Sequence, residues 1–120
     1  MSEPGTPSDL LPPVDAGAFA RVDLRVGRVV GATLNDKARR PAIRLEVDFG
    51  PLGVRLSSAQ ITRRYEPADL VGRLVVAVVN LPAKQIADVR SEILVLGAVD
   101  GDDVILLRPD AEVSLGTRVG

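Results

Sequence analysis

Between residues 42 and 50, apolar and charged side chains alternate without a break. Ile43, Leu45, Val47 and Phe49 are interleaved with Arg44, Glu46 and Asp48. Successive side chains of a strand point to opposite faces, so this spacing puts four large apolar groups on one face and a charge ladder on the other. Such a strand needs a core on one side only, which a curled sheet supplies. Val contributes 18 residues and Ile 5 to a chain of 120, and β-branched side chains favour pleated backbone. With 11 Gly and 9 Pro as punctuation, the chain reads as all-β, and its length suits one domain with an aliphatic core.

The remaining elements follow from the same signals. Residues 1–17 hold Pro4, Pro7, Pro12 and Pro13 among small polar residues, a composition that reads as a flexible Pro-rich tail ahead of a domain over 18–120. Phe19 is expected to anchor the entry to that domain. Val22 to Leu34 reads as one long strand with Gly27 and Gly31 as bend points. Asn35–Pro41 reads as a basic loop, 43–49 as the second strand and Val54–Ser58 as the third. Glu66–Gly72 has Pro near its start and Gly at its end, the pattern of a single helical turn. Leu74–Val79 is uninterrupted aliphatic, a strand buried on both faces; a loop Leu81–Ser91 follows, then strands Ile93–Val99 and Val104–Arg108 around an Asp100–Asp103 turn. This order, with a short helix between strands three and four, predicts a five-stranded OB-fold barrel, with an SH3-like barrel as the alternative.

Composition removes much chemistry. The chain has no His, Cys or Trp, so Ser-His-Asp machinery, thiolate chemistry, disulfides and Cys- or His-built zinc sites are excluded. Ser57 and Ser58 lack a base to activate them. Glu46 and Asp48 share a strand face with Arg44 and read as a surface ladder, while Asp100–Asp103 reads as a polar hairpin turn lacking the spaced ligands of a calcium loop. No Gly-rich phosphate cradle is present. The expectation is a binding protein with no catalytic residue, metal or cofactor. Residues 1–13 lack the charge and apolar run of an export signal, and the longest apolar run, 93–99, is too short to cross a bilayer. A cytoplasmic protein without membrane insertion is expected.

Net charge is -1, but segregated. Residues 1–18 carry three acids and no base, residues 19–95 thirteen bases against eight acids, and residues 96–120 two bases against five acids. The bases Arg39, Arg40, Arg63, Arg64, Lys84 and Arg90 fall in connections that a barrel can gather on one side, and phosphate contacts need only such cations and donors. With Phe19, Phe49 and Tyr65 as its only aromatics, the chain is poorly equipped for base stacking; recognition of a folded RNA by shape and phosphate escapes that objection.

The run Val22-Asp23-Leu24-Arg25-Val26-Gly27-Arg28-Val29 resembles the opening strand of the tRNA-binding OB domain. That domain is shared by the structure-specific tRNA-binding protein, the C-terminal extension of methionyl-tRNA synthetase and the CsaA-type export chaperones. Residues 38–50, 57–65, 75–80 and 91–97 are similar to the CsaA type, the Ser57-Ser58-Ala59-Gln60-Ile61 block most specifically. The resemblance implies a homodimer that holds unfolded preproteins and cooperates with SecA. It also implies tRNA affinity carried by Arg39, Arg40, Arg63, Arg64, Lys84, Arg90 and Ser91, and client contacts at Ser57, Ser58, Gln60, Ile61 and Tyr65. Residues 10–20 and 113–120 are the implied dimer segments. The alternative is a structure-specific tRNA-binding protein acting through a basic loop face. Against it, the loop after strand four reads Asn80-Leu81-Pro82-Ala83-Lys84-Gln85, two bases short of its tRNA-binding relatives, and Ile93-Leu94 stands where those have Gly-Met.

Overall fold

A computed structural model describes residues 10–120; most of the segment read as a tail, residues 1–9, lies outside the described residues. Residues 10–14 carry no regular structure, and a short helix follows, α1 (Ala16–Ala20), capped by Asp15, whose carboxylate accepts from the Ala18 amide at 2.7 Å. Phe19 therefore sits on a helix that buries none of its residues and is 54% exposed. It does not anchor the domain. Polar bonds hold the end of α1 instead, Asn80 Nδ2 donating to Arg21 O at 2.7 Å and Arg118 Nη2 to Ala20 O at 3.5 Å.

The strands β1 (Leu24–Asn35), β2 (Ala42–Asp48), β3 (Val54–Ala59) and β4 (Leu74–Val78) form an antiparallel sheet in the order β3-β2-β1-β4. β1 organises it. One edge carries β4 along 24–28, while the other carries a C-terminal strand at 24–25 and then β2 along 28–35. A register shift between Val29 and Gly31 marks the bend that lets one strand serve both halves of a curled sheet. Gly27 is required at this crossing for space: a Cβ there would lie 2.5 Å from Val47 Cγ1 and 2.7 Å from Phe49 Cε1. The helix α2 (Pro67–Leu70) stands between β3 and β4, with Pro in its first turn and Leu70 fully buried beneath the sheet.

The core follows the alternation. Ile43, Leu45, Val47 and Phe49 are wholly buried with Val29, Ile61, Leu70, Val75 and Ala77. All five residues of β4 are buried because its second face, Leu74 and Val76, is covered by Val113, Leu115 and Val119 of the C-terminal segment. That segment ends in a strand paired with β1, whose two-residue ladder is too short to leave a periodic pattern.

Residues 81–106 differ most from expectation. The loop 81–91 contains a hairpin, β5 (Lys84–Ile86) with β6 (Val89–Ser91), turning through Ala87 at φ 54°. The run 93–99 is two strands rather than one: β7 (Leu94–Val95) pairs with β4, and β8 (Gly97–Asp100) leaves to form a hairpin with β9 (Asp103–Leu106). The hinge is Leu96, whose amide donates to Val76 O and whose carbonyl accepts from the Leu107 amide. The last strand is numbered β10 (Arg118–Val119). The whole is an all-β, OB-like fold with little helix.

Two charges clasp the start of β1. Arg25 Nε donates to Asp23 Oδ1 at 2.6 Å and Nη2 to Oδ2 at 3.3 Å, and Arg25 Nη1 reaches Gly116 O. The hydrogen bonds from Arg25 hold the Asp23 carboxyl below its ordinary value of 3.8. A carboxyl acidified by folding stabilises the native state above its unfolded value, and that contribution is lost as pH falls below 3.8. Wild-type stability is therefore expected to drop more steeply than that of Asp23→Asn over that acid range, measured by urea titration at successive pH values. Gly27→Ala is expected to cost about 1–3 kcal/mol of unfolding free energy by overpacking; an unchanged urea midpoint contradicts the packing described.

Candidate functional site

The sheet closes at the outer edge of β3, which meets β6 and the residues after it, 89–93, without forming a ladder with them. Glu92 N donates to Leu56 O at 2.8 Å, and the Leu56 amide donates back to the Glu92 side chain, Oε1, at 3.0 Å. Ser91 Oγ accepts from the Ser58 amide at 3.2 Å, and the hydroxyls of Ser57 and Ser91 both reach Ile93 O. Asn35 Nδ2 donates to Ser58 Oγ at 3.1 Å and to Ile86 O at 3.5 Å. Side chains thus supply bonds that a backbone ladder would otherwise make, which is why Ser57, Ser91 and Asn35 are buried yet polar.

Because that edge is stitched and not laddered, the two sides stand apart further along and leave a groove of about 400 Å³. Ser57–Ile61 form one wall; Leu81, Pro82, Lys84 and Ile86 form another; 91–95 and Val104 complete it. Ile61 and Ile93 are floor residues, almost fully buried, whereas Leu81 and Leu94 stand 47% and 51% exposed at the mouth. A second hollow of about 510 Å³ shares Ser58, Gln60, Lys84 and Ile86 with the first and is edged by Arg39 and Arg40. The two are contiguous. Their combined shape is an aliphatic trough with one cationic end, and among the described residues Arg39, Arg40 and Lys84 make no ion pair there. The hairpin wall is tied to the β1–β2 loop by Lys37 Nζ and Asp88 Oδ2, 3.3 Å apart.

Six of the residues expected to meet client or RNA, Ser57, Ser58, Gln60, Ile61, Lys84 and Ser91, therefore line one groove, and Arg39 and Arg40 edge the contiguous hollow. The others lie elsewhere. Arg63 and Arg64 are drawn to Asp103, at 2.9 and 3.5 Å. Arg90 is exposed on β6 opposite Gln85 and lines neither hollow. Tyr65 faces away: its hydroxyl accepts from the Leu106 amide at 3.1 Å and the Arg73 guanidinium lies 5.3 Å from its ring centroid. Phe49 is core. Glu46 is held by Arg44 at 2.8 Å and Asp48 accepts from the Gly50 amide, the roles of a surface ladder.

Residues 24–118 match the family described as "Putative tRNA binding domain". The fold superposes on the chaperone CsaA of Bacillus anthracis with a TM-score of 0.86 and 50% identity, covering 91% of this chain and 100% of that one. The chain belongs to the tRNA-binding-domain family, in its CsaA type. The CsaA chaperone protein of Picrophilus torridus gives a TM-score of 0.84 at 40% identity, over 90% and 100% of the two chains. The methionine–tRNA ligase of Thermococcus kodakarensis is 40% identical over 84% of this chain. The chain spans about 13% of that ligase.

In this CsaA-type domain the groove also takes in side chains outside the expected site, among them Leu81, Pro82, Ile86, Ile93 and Leu94. Pro82 stands in the loop that is two bases short of the tRNA-binding pattern, and Ile93 and Leu94 stand where that pattern has Gly-Met, so both departures fall in the groove wall. Ser91→Ala is expected to cost about 1 kcal/mol by stranding the Ser58 amide and to raise amide exchange at Leu56–Ser58. Unaltered exchange contradicts the closure described.

Proposed function

We propose that this protein is a non-catalytic, CsaA-like molecular chaperone that binds unfolded preproteins for SecA-dependent export in the cytoplasm. The observation that carries this reading is the groove: an aliphatic trough, open to solvent, with leucines held exposed at its mouth. Exposed apolar surface of this kind is costly to keep unless it meets a partner, and an extended chain can offer alternate side chains to Ile61, Ile93 and Leu94. Gln60, exposed on the groove wall, offers an amide to client backbone in this reading. Action as a homodimer is supported by the adjacency of the terminal segments: Leu10, Leu11, Val14 and Phe19 are exposed, and Arg118 Nη2 reaches Ala20 O beside them.

The protein is expected to suppress aggregation of a chemically denatured client at near-stoichiometric amounts without nucleotide, read by light scattering. Leu94→Asp is expected to lose most of that suppression with an unchanged urea midpoint; full activity of this variant rules out the groove.

A tRNA affinity is the second reading, favoured by the family and by Arg39, Arg40 and Lys84 at one end of the trough, which make no ion pair among the described residues. Arg40→Glu and Lys84→Glu are each expected to weaken tRNA binding and lower the slope of log affinity against log salt by about one. Arg63→Glu is expected to change it less, because Asp103 already holds that guanidinium.

A further inference from the structure

A cleft apart from the groove gathers three guanidinium groups. It measures about 510 Å³ and is lined by Arg28, Gly72, Arg73 and Leu74 on one side and residues 108–112 on the other. Arg28 is committed within the chain: Nη1 donates to Gly72 O at 2.8 Å and Nη2 to Glu112 Oε2 at 2.6 Å. Arg73 is not. Its Nε is buried and finds no acceptor among the described residues, and no carboxylate pairs with it or with Arg108. That Nε is sealed from solvent, so Arg73 meets the cleft only through other atoms of its partly exposed side chain.

Arg73 is nevertheless held in place. Its amide donates to Leu70 O, its carbonyl accepts from Val29 N, and its guanidinium lies on the Tyr65 ring, which the Leu106 amide fixes in turn. Rigid, unpaired arginine offers a planar fork of donors to a phosphate at little entropic cost. The cleft is not simply cationic, because Asp110 also lines it without an ion pair among the described residues. A bare inorganic anion would be opposed by that carboxylate. A group carrying both a phosphate and a hydroxyl donor satisfies it, the hydroxyl donating to Asp110 while the phosphate oxygens accept from Arg73 and Arg108.

We propose that this cleft binds a ribose-phosphate unit of RNA, with Arg73 and Arg108 on the phosphate and Asp110 on the ribose 2′-hydroxyl. This rests on the tRNA reading above and is independent of the chaperone reading. It gives the domain a nucleic-acid contact outside the basic loops, and one that separates RNA from DNA by the hydroxyl that only RNA carries.

The test titrates wild type, Arg108→Ala and Asp110→Asn with tRNA, a DNA copy of the same sequence, 5′-AMP and inorganic phosphate, at several salt concentrations. Arg108 and Asp110 are exposed, so neither variant threatens the fold. Arg108→Ala is expected to weaken tRNA binding about tenfold, as loss of a charge-assisted hydrogen bond does, and to lower the salt slope by about one. Asp110→Asn is expected to narrow the preference for tRNA over DNA. Amide shifts at residues 73, 108 and 110 with 5′-AMP, but not with inorganic phosphate, show that a free ribonucleotide suffices. Shifts with tRNA alone show that the polymer is needed; both support the site. If wild type binds 5′-AMP there but not tRNA, the tRNA reading fails and the site stands. An Arg108→Ala variant with unchanged affinity and slope, a preference for tRNA over DNA untouched in Asp110→Asn, or no binding of either ribonucleotide form overturns the proposal.

Discussion

The structure turns on how the sheet closes. A curled sheet of four strands has two open edges, and an open edge is an invitation to pair with another chain. At the outer edge of β3 the closure is made by reciprocal bonds between Leu56 and Glu92 and by the hydroxyls of Ser57 and Ser91, with one backbone bond among them. A full ladder would seal the barrel. Stitching by side chains fixes β3 against 89–93 while leaving room beyond it, and the trough between Ile61, Leu81, Ile86 and Leu94 is that room. Closure and site are consequences of one arrangement.

This explains what the Ser57–Ile61 block does. As sequence it stood out for its family specificity, and its hydroxyls invited a role in binding. In the fold, Ser57 faces inward to the Ile93 carbonyl, Ser58 takes a bond from Asn35, and the stretch from Ala59 to Ile61 is groove wall. The charged residues of the opening strand are likewise architectural: Asp23 and Arg25 clasp the C-terminal segment, and Arg28 reaches Glu112. Residues that hold a fold and residues that meet a ligand can be the same letters in a sequence; only the partner of each polar atom tells them apart.

Legibility followed periodicity. The alternation at 43–49, the double-sided burial of β4 and the Pro-to-Gly helical turn were each readable, because core burial repeats every second residue and turns have strict backbone needs. Residues 93–99 misled because an apolar run interrupted by a single Gly does not announce a change of sheet. Gly97 was the trace of it: a Cβ there would lie 2.6 Å from Val104 Cγ1, so only Gly allows β8 and β9 so close. The hairpin at 84–91 has no Asn-Gly turn and no apolar alternation, and turns instead through Ala87. At the site, charge was visible but pairing was not. Arg39, Arg40 and Lys84 share a hollow, while Arg63 and Arg64 are taken by Asp103 from a distant hairpin.

The central claim is that the trough beside the stitched edge receives an unfolded chain, and hydrogen–deuterium exchange with and without a non-aggregating unfolded client addresses it most directly. Binding in the trough predicts new protection concentrated at Leu56–Ile61, Lys84–Ile86 and Ser91–Val95, with β1 and β4 unchanged. Protection confined to residues 10–22 and 113–119, or none anywhere at saturating client, would contradict it.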